Sequence, residues 1–228
     1  RADEYYRHDE YIRALADVDK VLQLAPETEE DVRLRAYVLR AGVYNETKRP
    51  EQALEDLKKA ASLAPDSYSV VYQKANTEFV LGKYPEAKFD FQKLQRINPR
   101  GAEAYIGLAR VAVKENNLGI ANEMLASAVN LDPNNAETYV RRASVRRLMG
   151  DHNGAVDDLI LAISSDNKHP RAMQELIDYG NTNYPATMAG LSKAVSEAPQ
   201  VGMFRYIRAV IAQAHYHYLA AINDYQTI

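Results

Sequence analysis

Cysteine and tryptophan are absent from the 228 residues, and long apolar runs are also missing. Without thiols, the chain has no disulfide, no thiolate metal site and no cysteine nucleophile. No apolar stretch approaches the roughly 20 residues that cross a bilayer, so we expect a soluble segment that does not insert into a membrane. The formal net charge is −3. A chain with this net charge lacks the positive electrostatic field typical of nucleic-acid binders, so nucleic acid is not an expected partner.

Sequence patterns associated with catalysis are also lacking. The chain shows no glycine-rich phosphate loop, no paired catalytic carboxylates in a predicted cleft and no serine nucleophile elbow. His215 and His217 form a His-x-His pattern. Two residues apart on a helix, their side chains would point to different faces, and here they lie near a turn, so a shared metal ion is not expected. We therefore predict no enzymatic activity, no cofactor and no metal site for this segment.

A regular interval is the strongest positive feature. Pro65, Pro99, Pro133 and Asn167 follow one another at steps of 34 residues. This step is too long for a heptad and too short for an independent domain. Each copy should therefore be one supersecondary unit that buries its apolar side against its neighbours, as in a solenoid.

Aligning the copies shows two amphipathic helices in each unit. Small residues recur eight places into the unit and again twelve places later, where two helices must approach closely. These positions are Ala41, Ala75, Ala109 and Ala143, followed by Ala53, Ala87, Ala121 and Ala155. The second helix adds a large apolar residue at Leu57, Phe91, Leu125 and Leu159.

Turn residues divide the two helices. The first helix should end where glycine or asparagine favours a left-handed backbone, and the residues at that place are Lys48, Gly82, Asn116 and Gly150. The second helix should begin at a proline, which lacks a backbone N–H that the first turn does not need. The prolines concerned are Pro50, Pro85 and Pro185.

This column pattern resembles the tetratricopeptide repeat family. Residues 34–67 show it best, with Tyr37, Ala41, Tyr44, Ala53, Leu57, Ala60 and Pro65. The resemblance implies an all-α fold, a right-handed superhelical solenoid of stacked antiparallel helix pairs. We expect one array over 1–228 with about seven repeats: 1–33 (partial, with a truncated first helix), 34–67, 68–101, 102–135, 136–169, 170–201 (degenerate) and 202–228 (partial).

The family resemblance also implies a function. Its concave groove, lined by the first helices, would hold a peptide segment or helix of a partner protein, which makes the chain a noncatalytic interaction scaffold. Alternatives are a regulatory or targeting array of a larger enzyme, or a peptide-sensing regulatory module. The candidate groove residues are Tyr72, Gln73, Asn76, Arg110, Lys114, Arg141, Ser144 and Arg147.

The charge of this groove leaves two interpretations open. Arginine binds carboxylates in a bidentate fork, so Arg110, Arg141 and Arg147 with Lys114 could receive an acidic segment. Alternatively these charges are solvated or paired internally, since Glu137 lies four residues before Arg141. Arg142 shares a column with Arg40, Lys74 and Arg208, and there we expect the aliphatic stem to cover apolar neighbours while the charge reaches water.

Some members of the family hold the carboxylate end of a heat-shock chaperone through lysine, asparagine and arginine at fixed places. The corresponding places here are Val38, Gly42, Gln73, Glu103 and Gly107, so this clamp is not expected. The chain starts at Arg1 and stops within a predicted helix, so we expect a fragment. Weak self-association through the last unit is a further expectation, and the localisation stays undetermined.

Overall fold

The computed structural model describes the backbone of residues 2–228 and the side chains of residues 10–228. Within these residues the secondary structure consists of helices, with no strand. They are α1 (Ala2–Leu24), α2 (Glu30–Glu46), α3 (Pro50–Leu63), α4 (Tyr68–Val80), α5 (Tyr84–Ile97), α6 (Ala102–Lys114), α7 (Leu118–Leu131), α8 (Ala136–Leu148), α9 (His152–Ser165), α10 (Pro170–Thr182), α11 (Tyr184–Glu197), α12 (Gly202–Ala214) and α13 (Tyr218–Gln226).

The chain divides into two compact units, Arg1–Val111 and Ala112–Ile228, and the boundary falls within α6. In the first unit, α2 packs on α3, α3 on α4, and α4 on α5. In the second unit the pairs are α8 with α9, α10 with α11, and α12 with α13, and the first two pairs each contact the pair that follows. The predicted all-α solenoid of stacked helix pairs is confirmed.

The turns inside the helix pairs have the predicted backbone. Lys48 and Asn116 both have φ 59°, Gly82 has φ 74° and Gly150 has φ 80°. Tyr216, between α12 and α13, has φ 62° and was not predicted from the sequence. The left-handed residue lets the chain reverse within two or three residues, which brings the second helix back along the first.

Alanines fill the predicted contact columns because larger side chains would keep the helices apart. In the first unit, Ala41, Ala53, Ala75 and Ala87 have no exposed surface, and in the second Ala121 has none. The large apolar column between them is also buried, at Leu57, Phe91, Leu125 and Leu159. In these repeats the helices thus approach each other at alanine methyl groups, and one large apolar side chain per repeat is buried beside them.

The beginning of the chain differs from the expectation. A single helix, α1, occupies Ala2–Leu24, where we expected a truncated first helix followed by a second. The helix α2 has 17 residues, whereas α4, α6 and α8 have 13 each. Extra residues between Pro26 and Pro65 therefore extend α2 at its N-terminal end.

The basic residues of this column on the first helices are partly buried and form ion pairs, which corrects the prediction that their charges reach water. Each cation contacts an aspartate 16 residues later, on the second helix of the same pair. The pairs are Arg40–Asp56, Lys74–Asp90, Arg142–Asp158 and Arg208–Asp224, at 2.5–2.6 Å. The aspartates are almost fully buried, so a cation that turned to water would leave a desolvated carboxylate unpaired.

The repeat 102–135 replaces this ion pair with two apolar residues. Leu108 and Met124 stand where the other repeats have the basic residue and the aspartate. Both side chains are partly buried. At these two repeat positions the chain thus carries charged residues in some repeats and apolar residues in the repeat 102–135.

Candidate functional site

The first-unit face consists of Tyr68, Tyr72, Asn76 and Phe79 on α4 together with Arg110 on α6. On α4 these residues recur every three or four positions, so they lie along one side of the helix. All five side chains are partly exposed. Three of the predicted groove residues, Tyr72, Asn76 and Arg110, are therefore brought together here.

Tyr68 and Tyr72 stack with ring centroids 6.3 Å apart and an interplanar angle of 7°. The Tyr68 hydroxyl donates a hydrogen bond to Glu103 Oε2 at 3.0 Å. Burial, and then the Glu103 carboxylate, raise the pKa of Tyr68 to about 12. Tyr68 therefore stays neutral as a donor, and the stacked pair offers a fixed aromatic surface.

Asn76 connects α4 to α6. Its Nδ2 donates to the Tyr72 carbonyl oxygen at 3.0 Å, and its Oδ1 accepts from an Arg110 guanidinium nitrogen at 2.7 Å. The Arg110 guanidinium also lies 4.1 Å from the centroid of Phe79, within the range of a cation–π contact. First helices of two successive repeats are thus joined by one polar and one aromatic contact at this face.

Gln73, another predicted groove residue, lies beside this face without joining its contacts. Its Nε2 donates to Ser69 Oγ at 3.3 Å on the same helix. Tyr68 was missed from the sequence as a part of the face. The available signal was its position four residues before Tyr72, which places the two rings on one side of α4.

Glu78 lies on α4 next to Phe79 but is buried, with 3% of its surface exposed. Its Oε1 is 2.9 Å from Lys74 Nζ, and Lys74 also binds Asp90 at 2.5 Å. Oε2 of Glu78 has no hydrogen-bond partner among the described residues. Burial raises the pKa of Glu78 and the Asp90 charge adds to the rise, while the bond to Lys74 opposes it.

We predict that Glu78→Gln removes part of the pH dependence of stability. Because the pKa of Glu78 is raised on folding, the folded chain holds the proton more tightly than the unfolded chain. This bound proton stabilises the folded chain fully at a pH below the pKa that Glu78 has in the unfolded chain. The stabilisation is lost as the pH rises through the pKa that Glu78 has in the folded chain.

Urea unfolding of parent and variant between pH 4 and pH 7.5 measures this effect. The parent should lose more stability over this range than Glu78→Gln does. The exposed Glu86→Gln serves as the control and should follow the parent. A parent and a Glu78→Gln variant with parallel profiles would contradict the prediction.

The second-unit face consists of Lys114 at the end of α6 and of Arg141, Ser144 and Arg147 on α8. Arg141 donates to Glu137 Oε1 at 2.8 Å, four residues earlier on α8. The interpretation that Arg141 is paired internally is thus confirmed. Ser144 Oγ bonds to the Val140 carbonyl oxygen at 3.0 Å. Paired groups therefore occupy the centre of this face.

Two residues of α10 extend the same network. Arg171 binds Glu137 Oε1 at 2.8 Å and Glu175 Oε1 at 2.8 Å. Glu175 Oε2 lies 3.4 Å from Ser144 Oγ. By contrast, Lys114 and Arg147 are exposed and have no hydrogen bond or ion pair to the described side chains. They are the cations of this face that remain available to a partner.

The two histidines of the His-x-His pattern make aromatic contacts near the end of the chain. His215 and His217 flank the left-handed Tyr216, and both rings lie against Tyr184, at 4.3 Å and 5.3 Å between centroids. The turn expected near these histidines separates them, and both rings therefore reach the same tyrosine. Over residues 10–228, no cluster of three or more histidine, aspartate or glutamate side chains could hold a metal ion.

One position of the chaperone clamp is closed by packing. Gly107 on α6 faces the ring of Phe91, and a Cβ added at this glycine would overlap that ring. Phe91 has no exposed surface. The arginine that the clamp has at this place would therefore need Phe91 to move.

The fold defines the class, which is a repeat protein of stacked helix pairs. Residues 34–67 match the family model described as tetratricopeptide repeat. For these residues, the resemblance to the tetratricopeptide repeat family that the column pattern predicted is confirmed.

Several known proteins are similar to this chain. Human mitochondrial import receptor subunit TOM70 is 23% identical over 248 residues, which cover 89% of this chain and 40% of that protein. Among solved structures, MamA has a TM-score of 0.62 at 20% identity, covering 73% of this chain and 94% of MamA. YrrB, described as having an unusual peptide-binding site, has a TM-score of 0.52 at 23% identity, covering 74% and 88%. This chain spans less than half the length of TOM70.

Across the described residues, the helices are too short or too polar to cross a bilayer.

Proposed function

We propose that this chain is a noncatalytic scaffold whose first-unit face binds a peptide segment or helix of a partner protein. The observation that carries the proposal is the contact of Asn76 with Arg110 beside Tyr72, which joins two first helices into one partly exposed surface. Aromatic and arginine side chains are enriched among residues that dominate binding energy. The peptide-binding site named for YrrB supports the same use of this fold.

The side chains of this face are also held in place by their neighbours, so the binding surface is ordered before a ligand binds. Tyr72 is held by Tyr68, and Arg110 is held by Asn76 and Phe79. Side chains that are already fixed lose little conformational freedom when a ligand arrives. A segment that binds along α4 would contact rings and amide groups that already have the positions they take in the complex.

We propose the second-unit face as a further contact surface for an acidic segment. Lys114 and Arg147 would supply the charge, while Arg141 and Ser144 would keep their internal partners unless a ligand carboxylate replaced Glu137 or Glu175. Exposed cations of this kind act mainly on the association rate and are screened by salt. Binding here should therefore weaken as salt rises.

The first-unit face is tested with twelve-residue peptides selected from a random library on the parent chain. Tyr72→Ala should weaken the selected peptides at least tenfold, because a hot-spot aromatic contributes about 2 kcal/mol or more. Phe89→Ala is the matched control, since Phe89 is an aromatic residue exposed on the second helix α5. Asn76→Ala provides a second variant if Tyr72→Ala unfolds.

Equal affinity of the selected peptides for the parent, Tyr72→Ala and Asn76→Ala would contradict the proposal. A loss that is the same for Phe89→Ala would contradict it as well. Circular dichroism of each variant shows whether the helices are intact.

A further inference from the structure

A cavity of about 420 Å³ adjoins the first-unit face, where the turn after α2 meets the end of α4. Its lining consists of Asn45, Lys48, Pro50, Asn76, Thr77 and Val80. Asn76 belongs to both the cavity and the first-unit face. A segment bound along α4 at Asn76 would therefore pass the mouth of the cavity.

The floor of the cavity is a satisfied hydrogen-bonded contact. Asn45 Nδ2 donates to Thr77 Oγ1 at 3.1 Å, and Thr77 Oγ1 donates in turn to the Gln73 carbonyl oxygen at 2.9 Å. These groups keep the two first helices at a fixed separation. They do not need a polar ligand, since the Thr77 hydroxyl already has a donor and an acceptor.

Two apolar residues, Pro50 and Val80, line part of the cavity. Val80 is 67% exposed, and Pro50 adds the ring of the residue that begins α3. Ligand pockets in proteins have volumes of about 300 to 1,000 Å³. A large apolar side chain inserted here would cover the exposed Val80 surface, which is favourable by the hydrophobic effect.

One cation stands at the edge of the cavity. Lys48 is exposed, and its ammonium has no ion pair to any side chain within residues 10–228. Its backbone is in the left-handed region at φ 59°, which fixes where the side chain leaves the turn. Among the described residues, Lys48 is the charged residue in the lining, so the edge favours a carboxylate.

We propose that this cavity binds one large apolar side chain of the segment held by the first-unit face, and that Lys48 contacts an aspartate or glutamate within three residues of it. The proposal rests on the peptide-binding function proposed above and adds the chemistry of the ligand. The recognised motif is an apolar residue followed or preceded closely by an acidic one.

The test uses the same random library of twelve-residue peptides, selected separately on the parent and on Lys48→Glu. Peptides from the parent should share a large apolar residue with an acidic residue no more than three positions away. Peptides from Lys48→Glu should carry lysine or arginine in place of the acidic residue. Affinity of the parent's peptides should fall at least tenfold in Lys48→Glu.

Val80→Asp tests the apolar wall and should also weaken the parent's peptides at least tenfold, because a carboxylate would enter the cavity. Both changes are at exposed positions, where the fold tolerates substitution. The matched controls are Lys58→Glu, an exposed lysine on α3, and Phe89→Asp, an exposed apolar residue on α5. Neither control should change the affinity.

The results separate the two proposals. Peptides that lose affinity on Tyr72→Ala but keep it on Lys48→Glu and Val80→Asp would overturn the cavity proposal and leave the first-unit face standing. Failure of the parent to select any peptide would overturn both. An unchanged consensus on Lys48→Glu would contradict the role of the lysine.

Discussion

Asp56→Met should destabilise the chain by about 3 kcal/mol, whereas Arg40→Leu combined with Asp56→Met should lie within about 1 kcal/mol of the parent. Arg40 Nε and a terminal nitrogen bind the two Asp56 oxygens at 2.6 and 2.7 Å, and Asp56 is 2% exposed. The bond to Asp56 raises the pKa of Arg40 further. Without Asp56 the guanidinium still stays charged, because arginine does not lose its proton in proteins. The cost of the single variant is the cost of a desolvated, poorly paired cation.

We expect the double variant to recover stability because another repeat of the same chain already has apolar residues at these positions. Leu108 and Met124 occupy the equivalent places in the repeat 102–135. Asp19 also binds Arg40 but is half exposed, so it loses little when Arg40 is replaced. Urea unfolding of the parent, both single variants and the double variant gives the coupling energy. A double variant as unstable as Asp56→Met would contradict this account.

Gly107→Ala should destabilise the chain by about 1 to 3 kcal/mol through overpacking. The added methyl group would overlap the ring of Phe91, which is buried among the side chains of the first unit. The matched control is Gly42→Ala, on α2, where an added Cβ meets no atom within 4 Å. Since alanine favours helix more than glycine does, this control should gain about 0.5 to 1 kcal/mol.

The two glycine variants thus have opposite expected signs for the same chemical change. Thermal unfolding followed by circular dichroism measures both. If Gly107→Ala were as stable as Gly42→Ala, the close approach of α6 to α5 at Phe91 would be wrong.

The helix pairs were predictable because their signals are local or strictly periodic. The turn at Lys48 required a left-handed residue at a fixed place in the repeat, and the structure has it. The alanine columns were predictable because close helix contacts exclude larger side chains, as at Ala53. The same turn and the same close helix contact recur from repeat to repeat. Four aligned copies of the pattern therefore predict each of them independently.

The buried aspartates were missed although the sequence contains their signal. Asp56, Asp90, Asp158 and Asp224 each follow a basic residue by 16 positions. An aspartate on a second helix is usually exposed, so its burial depends on the partner across the helix pair. The contacts of Asn76 with Arg110, and of Arg171 with Glu137, were out of reach for a similar reason, because they join different repeats.

The central claim is that a polypeptide segment binds along the first helices, and nuclear magnetic resonance tests it most directly. A peptide selected on the parent is titrated into the isotope-labelled chain while the backbone and side-chain amide signals are followed. We predict that the largest changes occur at the side-chain amide of Asn76 and the backbone amides of Tyr72 and Arg110. Changes concentrated on the second helix α5, around Phe89, would contradict the account.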